Sequence, residues 1–264
     1  MQKIIFTKVV ASGNDFVVIE KRHNPGIKDP RGLARKVCDR KFGIGADGLL
    51  LLEGSGSADI KMRIFNPDGS EAEMCGNGAR ASALFLGKSK SRLETRAGEV
   101  LSRVNGNNVR IKLTDPRGIK RGIPLKVNRR SLKADYIDTG VPHAVVFVEG
   151  LSGIDVDGIG RAIRNHRKFY PRGANVDFVE ALGKLRAGIR TYERGVEGET
   201  LACGTGTVAS ALIFALKTGS SGPVDLLTKS GEMLRVYFKR INNKFTDVWL
   251  EGKANIVYKG EYYV

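Results

Sequence analysis

At 264 residues, with 41% hydrophobic and 27% charged residues, the chain has the size and make-up of one large or two medium globular domains. No apolar run approaches a membrane span, the longest lying within Ala209–Leu216, so helical membrane proteins are excluded and no membrane partner is expected. The net charge of +16 is spread along the chain and not interleaved with aromatics, which argues against a nucleic-acid partner and leaves a field favouring small carboxylate ligands.

Alternating or continuous apolar runs predict strands at Ile4–Val10, Val17–Glu20, Gly48–Leu52, Lys61–Phe65, Val100–Val104 and Val109–Leu113. A helix is predicted over Arg31–Asp39 and another over Asn77–Leu86, the latter stopped by Gly87. The basic stretch Arg117–Lys133 reads as a junction between two halves. Beyond it, strands are predicted at Tyr136–Asp138, Ala144–Val148, Val176–Val179, Gly188–Tyr192, Val224–Leu227, Leu234–Lys239 and Thr246–Leu250. Helices are predicted over Val156–His166 and over Thr205–Lys217, which stops near Gly219.

The halves repeat each other. Cys75-Gly-Asn-Gly-Ala-Arg-Ala-Ser-Ala-Leu84 matches Cys203-Gly-Thr-Gly-Thr-Val-Ala-Ser-Ala-Leu212 at seven of ten positions, 128 residues apart. Arg40-Lys41-Phe42 recurs as Arg167-Lys168-Phe169, and Gly45-Ala46-Asp47 as Gly173-Ala174-Asn175. Arg63–Asn66 lines up with Arg190–Glu193, and Thr95–Glu99 with Thr228–Glu232. Matches that keep their order over this length imply an internal duplication with one thiol in each half. The expected architecture is α+β: two pseudo-symmetric domains, each a mixed sheet rolled around a central helix. The expected boundaries are residues 1–117 plus 253–264 for the domain carrying Cys75, and 118–252 for that carrying Cys203. The central helices are identified by composition, because Ala79–Leu86 and Val208–Leu216 are small and apolar almost all round, as in a helix buried on every side.

Each cysteine then stands just ahead of a helix N-terminus, where unpaired N–H groups and the positive end of the helix dipole favour an anion. A thiol there is expected to have a lowered pKa. The glycines at 76, 78, 204 and 206 would let a ligand approach the backbone. Both segments also fit a loose G-x-G-x-x-A dinucleotide fingerprint, but polar leaders stand where that fingerprint needs a strand. No cysteine pair has zinc-ligand spacing, and no metal is expected. Three cysteines without a disulfide framework, and an N-terminus without a signal-peptide layout, fit a reducing cytoplasm. Cys38 reads as a small buried hydrophobe on its helix, and His23 and His166 as polar-surface residues.

Longer motifs carry a resemblance. Ser12-Gly13-Asn14-Asp15-Phe16, Phe65-Asn66-Pro67-Asp68-Gly69-Ser70-Glu71 and Met74-Cys75-Gly76-Asn77-Gly78-Ala79-Arg80 resemble the diaminopimelate epimerase family. So do Pro142-His143, Asn175, and the run from Tyr192 to Thr207 that holds Glu193, Arg194 and Cys203. The resemblance implies interconversion of L,L- and meso-diaminopimelate on the route to lysine, with no cofactor: neither pyridoxal phosphate nor metal. It implies that Cys75 and Cys203 are the thiolate base and thiol acid, and that His143 and Glu193 adjust their pKa values. It places the substrate α-carboxylate on the N–H groups of Gly76, Asn77, Gly204 and Thr205. The distal ammonium and carboxylate fall to Asn14, Asn66, Asn175 and Arg194, with Glu193 also counted among the substrate-binding residues. A small-molecule substrate and a homodimer are the implied partners, and the last strand, within Ala254–Val264, is expected to return to the first domain. Val141, where many members have Asn, and Gly48, where some have Gln, depart from the family pattern. The rival readings are a proline or hydroxyproline racemase of the same fold, which usually carries His where this chain has Asn77, and a thiol redox protein.

Overall fold

The computed structural model describes residues 2–128 and 130–264, so Arg129 of the basic stretch lies outside the described residues. The chain divides into two compact units, one of residues 1–112 with 252–264 and one of residues 113–251.

The first unit opens with β1 (Lys3–Ala11), β2 (Asn14–Glu20), α1 (Pro30–Cys38), β3 (Gly48–Glu53) and β4 (Ile60–Phe65). It continues through β5 (Glu71–Ala72), α2 (Gly76–Leu86), β6 (Lys90–Thr95), β7 (Gly98–Asn105) and β8 (Asn108–Lys112). β2 and β3 run parallel, with Phe16 opposite Gly48, as do β4 and β6, while the pairs β1–β2, β3–β4, β6–β7 and β7–β8 are antiparallel. The Leu49–Leu52 run is continuous rather than alternating because β3 is covered on both faces. Leu49 and Leu51 pack with Leu33, Ala34, Val37 and Cys38 of α1, while Leu50 faces Gly78 of α2. α2 packs against β1, β2, β3, β4, β6, β7 and β8, so the sheet wraps it as its apolar composition required.

The second unit holds β9 (Arg117–Val127), β10 (Arg130–Asp138), β11 (Pro142–Phe147), α3 (Val156–Arg164), β12 (Asn175–Gly183) and β13 (Arg186–Glu193). β14 (Gly198–Thr200), α4 (Gly204–Thr218), β15 (Val224–Leu227), β16 (Met233–Ile241) and β17 (Lys244–Tyr263) complete the chain. β11 and β12 run parallel with His143 opposite Asn175, the counterpart of the β2–β3 pair. Alternation sorts their side chains. Ala144, Val146, Val176 and Phe178 point outward into a core shared with Val156, Ile159 and Ile163 of α3. The opposite parity, His143, Val145, Asn175 and Asp177, faces inward. α4 is surrounded by β10, β11, β12, β13, β15 and β16. β17 begins in the second unit and, from Gly252, belongs to the first, where it pairs with β1 from Lys3↔Tyr263 to Ala11↔Ala254.

The mixed α+β architecture and the sheet-wrapped helices are as the sequence implies. Three details differ. The basic stretch at the junction carries strands not in the predicted set, β9 and the start of β10, which pair antiparallel. The leaders of both cysteine motifs contain short strands, β5 and β14, which pair with β4 and β13 but end at Ala72 and Thr200, before the glycine turns. β6 was absent from the predicted set. Among the described residues no helix is long and apolar enough to cross a membrane.

Candidate active site

Each cysteine is the N-cap of a central helix. Cys75 adopts φ −143°, ψ 122°, and its Sγ accepts the Gly78 N–H at 3.4 Å. Cys203 adopts φ −114°, ψ 114°, and its Sγ accepts the Gly206 N–H at 3.4 Å. The first intrahelical bonds are Ala79 N–H to Cys75 C=O and Thr207 N–H to Cys203 C=O, both 2.8 Å. By helix geometry the N–H groups of Gly76 and Asn77, and of Gly204 and Thr205, have no carbonyl within the helix to bond and point from its open end beside the sulfur. The helices end on left-handed glycines, Gly87 (φ 68°) and Gly219 (φ 74°), as their C-terminal stops predict.

The surroundings of the two thiols are unlike. Beside Cys75, the Asn77 side chain donates to Asn14 Oδ1 (2.7 Å), and Asn14 in turn donates to Asp47 (3.1 Å). Arg80, fully buried, donates to Asn77 Oδ1 (2.6 Å), Ser12 Oγ (2.9 Å) and the Lys253 carbonyl (3.1 Å). Asp15 and Asp47 share the Arg40 guanidinium. Burial pushes the Asp15 carboxyl up, but hydrogen bonds from Arg40 and Lys8 outweigh it and hold the group well below the usual carboxylate range. Asn66 lies apart from this network, in the turn after β4, where its amide donates to Ser70 Oγ (2.9 Å).

Beside Cys203 stands a continuous polar line. Its Sγ is 3.4 Å from Thr205 Oγ1, which is 3.0 Å from His143 Nε2. His143 Nδ1 is 2.8 Å from Asp177 Oδ2, and Thr191 Oγ1 donates to Asp177 Oδ1 at 2.8 Å. His143 and Asp177 are fully buried. Asn175 reaches the same imidazole and accepts the Arg194 backbone N–H. The Arg194 guanidinium donates to the Arg172 carbonyl (3.1 Å), and Glu193 accepts the Thr200 hydroxyl (3.1 Å). Burial, followed by the charges of Glu193 and Asp177, pushes the Cys203 thiol well above its ordinary value, against the Thr205 hydroxyl and the Gly206 N–H. The lowered pKa expected from the helix end is therefore overturned at Cys203, because the helix dipole acts there on a group that is 9% exposed and has two carboxylates nearby. Cys38 behaves as expected: it is buried in the α1 core, and desolvation pushes its thiol up to about 11.

Of the residues singled out from sequence, Asn14 and Asn77 gather at the Cys75 helix end, and His143, Asn175, Thr205 and Cys203 around the buried imidazole. Asn14 and Asn175 open strands β2 and β12. Asp177, Thr191 and Arg80 were missed. A signal existed for two of them. Arg80 is the one charged residue in Gly76–Leu86, where the second half has Val208, and Asp177 interrupts the apolar run Val176–Val179.

Comparison with known proteins agrees with the motifs. The profile of the family "Diaminopimelate epimerase" matches residues 6–118 and 136–257. The diaminopimelate epimerase of Aquifex aeolicus is 42% identical over 272 residues, covering 97% of this chain and 96% of that protein. That of Methanocella arvoryzae is 41% identical, covering 99% and 97%. Among solved structures, a phenazine biosynthesis protein of the PhzF family from Bacillus anthracis shares the fold over the whole of both chains, with a TM-score of 0.78 at 19% identity. A hydroxyproline epimerase from Agrobacterium vitis does so over 99% of this chain and 91% of that one, with a TM-score of 0.68 at 16% identity. With matched sequence over nearly its full length, the chain belongs to the diaminopimelate epimerase family, whose members are isomerases.

Proposed function

We propose that the protein epimerises L,L-diaminopimelate to meso-diaminopimelate by a two-thiol mechanism that uses neither pyridoxal phosphate nor a metal. One observation carries the reading: Cys75 and Cys203 each cap a buried helix, whose first N–H groups have no carbonyl within the helix to bond. The α-carboxylate of the substrate rests on the N–H groups of Gly76, Asn77, Gly204 and Thr205. One cysteine thiolate takes the α-proton and the other thiol returns a proton to the opposite face, with roles exchanged in the reverse direction. An α-proton of an amino acid is far too weakly acidic for a thiolate in water, so the developing carbanion must be stabilised. Oriented N–H donors of this kind contribute about 3–4 kcal/mol each in comparable oxyanion sites.

The surroundings of Cys203 support a resting state for that thiol. Burial beside Glu193 and Asp177 favours the proton-carrying form of Cys203. His143 and Glu193 thus act on the second thiol rather than equally on both. Asn14, Asn66, Asn175 and Arg194 hold the distal ammonium and carboxylate, a task for which a guanidinium fork is suited. Each half is a copy of one ancestral unit, the enzyme serves lysine biosynthesis in the cytoplasm, and it acts as a homodimer. The exposed apolar residues Ile5, Tyr258 and Tyr263 on β1 and β17 are consistent with such an association.

The direct test is incubation of L,L-diaminopimelate with protein treated with a chelator and stripped of pyridoxal phosphate, followed by chiral chromatography. The expected result is approach to an equilibrium mixture with meso-diaminopimelate. Racemisation of proline or hydroxyproline without action on diaminopimelate would transfer the chain to the racemase reading. Absence of stereochemical change in all three would remove the epimerase assignment.

A further inference from the structure

The imidazole of His143 lies between an amide donor and a carboxylate acceptor that together favour one tautomer. The Asn175 amide is oriented by its Oδ1, which accepts the Arg194 backbone N–H at 2.7 Å. Its Nδ2, which can only donate, is then 3.4 Å from His143 Nε2. Nε2 is therefore an acceptor. On the other side, Asp177 Oδ2, a pure acceptor when ionised, is 2.8 Å from Nδ1, so Nδ1 carries the hydrogen. With Nε2 accepting, the Thr205 hydroxyl 3.0 Å away donates to it, and the Thr205 oxygen is left to receive the Cys203 S–H at 3.4 Å. Leu50 occupies against Gly78 the place that Asp177 occupies against Gly206.

We propose that Asp177 is a positioning residue that fixes His143 as the Nδ1–H tautomer, aligning Thr205 as a relay between His143 and the Cys203 thiol. The line gives the Cys203 proton a defined destination when that residue must become the base. The thiol hydrogen passes to the Thr205 oxygen as the Thr205 hydrogen passes to Nε2. The products are a thiolate at Cys203 and an imidazolium whose charge faces the Asp177 carboxylate, with no atom gained or lost. Thr191, donating to the second carboxylate oxygen, keeps Asp177 turned towards the ring. The catalytic part of this inference rests on the epimerase reading above; the tautomer itself does not.

The test combines spectroscopy with kinetics. The chain has three histidines, so in protein labelled with nitrogen-15 histidine the His143 ring is assigned by its loss in H143Q. The wild-type ring is expected to show hydrogen on Nδ1 and a pyridine-type Nε2. In D177N the amide nitrogen can face Nδ1 as a donor and drive the hydrogen to Nε2, where it conflicts with the Asn175 amide. Loss of the Nδ1–H tautomer is expected, with kcat for diaminopimelate falling on the order of a hundredfold or more and KM changing about twofold or less; the comparable Asp-to-Asn change in serine proteases costs about 10⁴ in kcat. T205V is expected to lose a similar factor in kcat, and T205S to recover most of that loss. A wild-type ring carrying hydrogen on Nε2 would overturn the proposal whether or not D177N folds. So would a D177N protein with unchanged tautomer and kcat, or equal rates in T205V and T205S. A wild-type Nδ1–H ring in a protein inactive on diaminopimelate would uphold the orienting role of Asp177 and refute the epimerase reading instead.

Discussion

Replacing Gly206 by alanine should damage the protein, while the matching change at Gly78 should not. A Cβ on Gly206 would stand 2.3 Å from Asp177 Oδ1 and 3.3 Å from His143 Cε1. Ordinary contact requires the carboxylate to retreat by about 1 Å, but it is fully buried and held at 2.8 Å by both Thr191 and His143. Losing one hydrogen bond to a charged, buried acceptor costs about 1.5–3 kcal/mol. Better helix propensity returns at most about 1 kcal/mol. The net loss is about 0.5–2 kcal/mol, or a few degrees in Tm for a chain of this size. At Gly78 the new Cβ meets only the ends of Leu50 (3.0 Å) and Ile64 (3.3 Å), apolar groups able to shift by a few tenths of an ångström. There the propensity gain and the repacking cost roughly cancel. Urea unfolding of G206A, G78A and wild type measures both differences, and the His143 nitrogen spectrum reports whether Asp177 has moved. Equal stability of the two variants, with the imidazole unchanged in G206A, would refute the argument.

Other outcomes follow from the same contacts. The Asp15 carboxyl is held below its unfolded value, so its contribution is fully present above the unfolded pKa of about 3.9 and is lost as pH falls through the folded value. D15N should accordingly unfold over a narrower span of acid-side stability loss than wild type, as followed by circular dichroism. The Cys38 thiol is raised to about 11, so the stability it contributes is present below its unfolded pKa of about 8.5 and lost as pH rises towards 11. C38A should therefore lose less stability than wild type between about pH 8.5 and 11. Asp155 caps α3 through the Gly158 N–H at 2.9 Å, and D155A should cost about 1 kcal/mol in urea unfolding without altering turnover.

The sequence exposed the parts of the fold that repeat or that are apolar on every side. The matched Cys-Gly segments located both helix caps, and the Leu49–Leu52 and Val176–Val179 runs located the parallel strands. Elements held by backbone pairing without a strong apolar rhythm were harder to see. β9 carries Arg117, Lys120, Arg121 and Lys126 with glycines and Pro124 among them, and only its register with β10 makes it a strand. The site was legible where a side chain touches the helix end. It was not legible where the chemistry depends on what lies behind: Asp177 is 26 residues from Cys203 in sequence and meets its helix only because α4 packs against the paired strands β11 and β12. The thiol pKa was misjudged for the same reason, since a helix dipole can be read from a motif but desolvation and a neighbouring carboxylate cannot.

The two-thiol claim is tested most directly by running the reaction in heavy water and locating deuterium in the product. Wild-type protein acting on L,L-diaminopimelate should yield meso product with solvent deuterium at the inverted α-carbon, and neither C75A nor C203A should form it. Inversion without deuterium, or inversion that survives removal of either sulfur, would contradict the account.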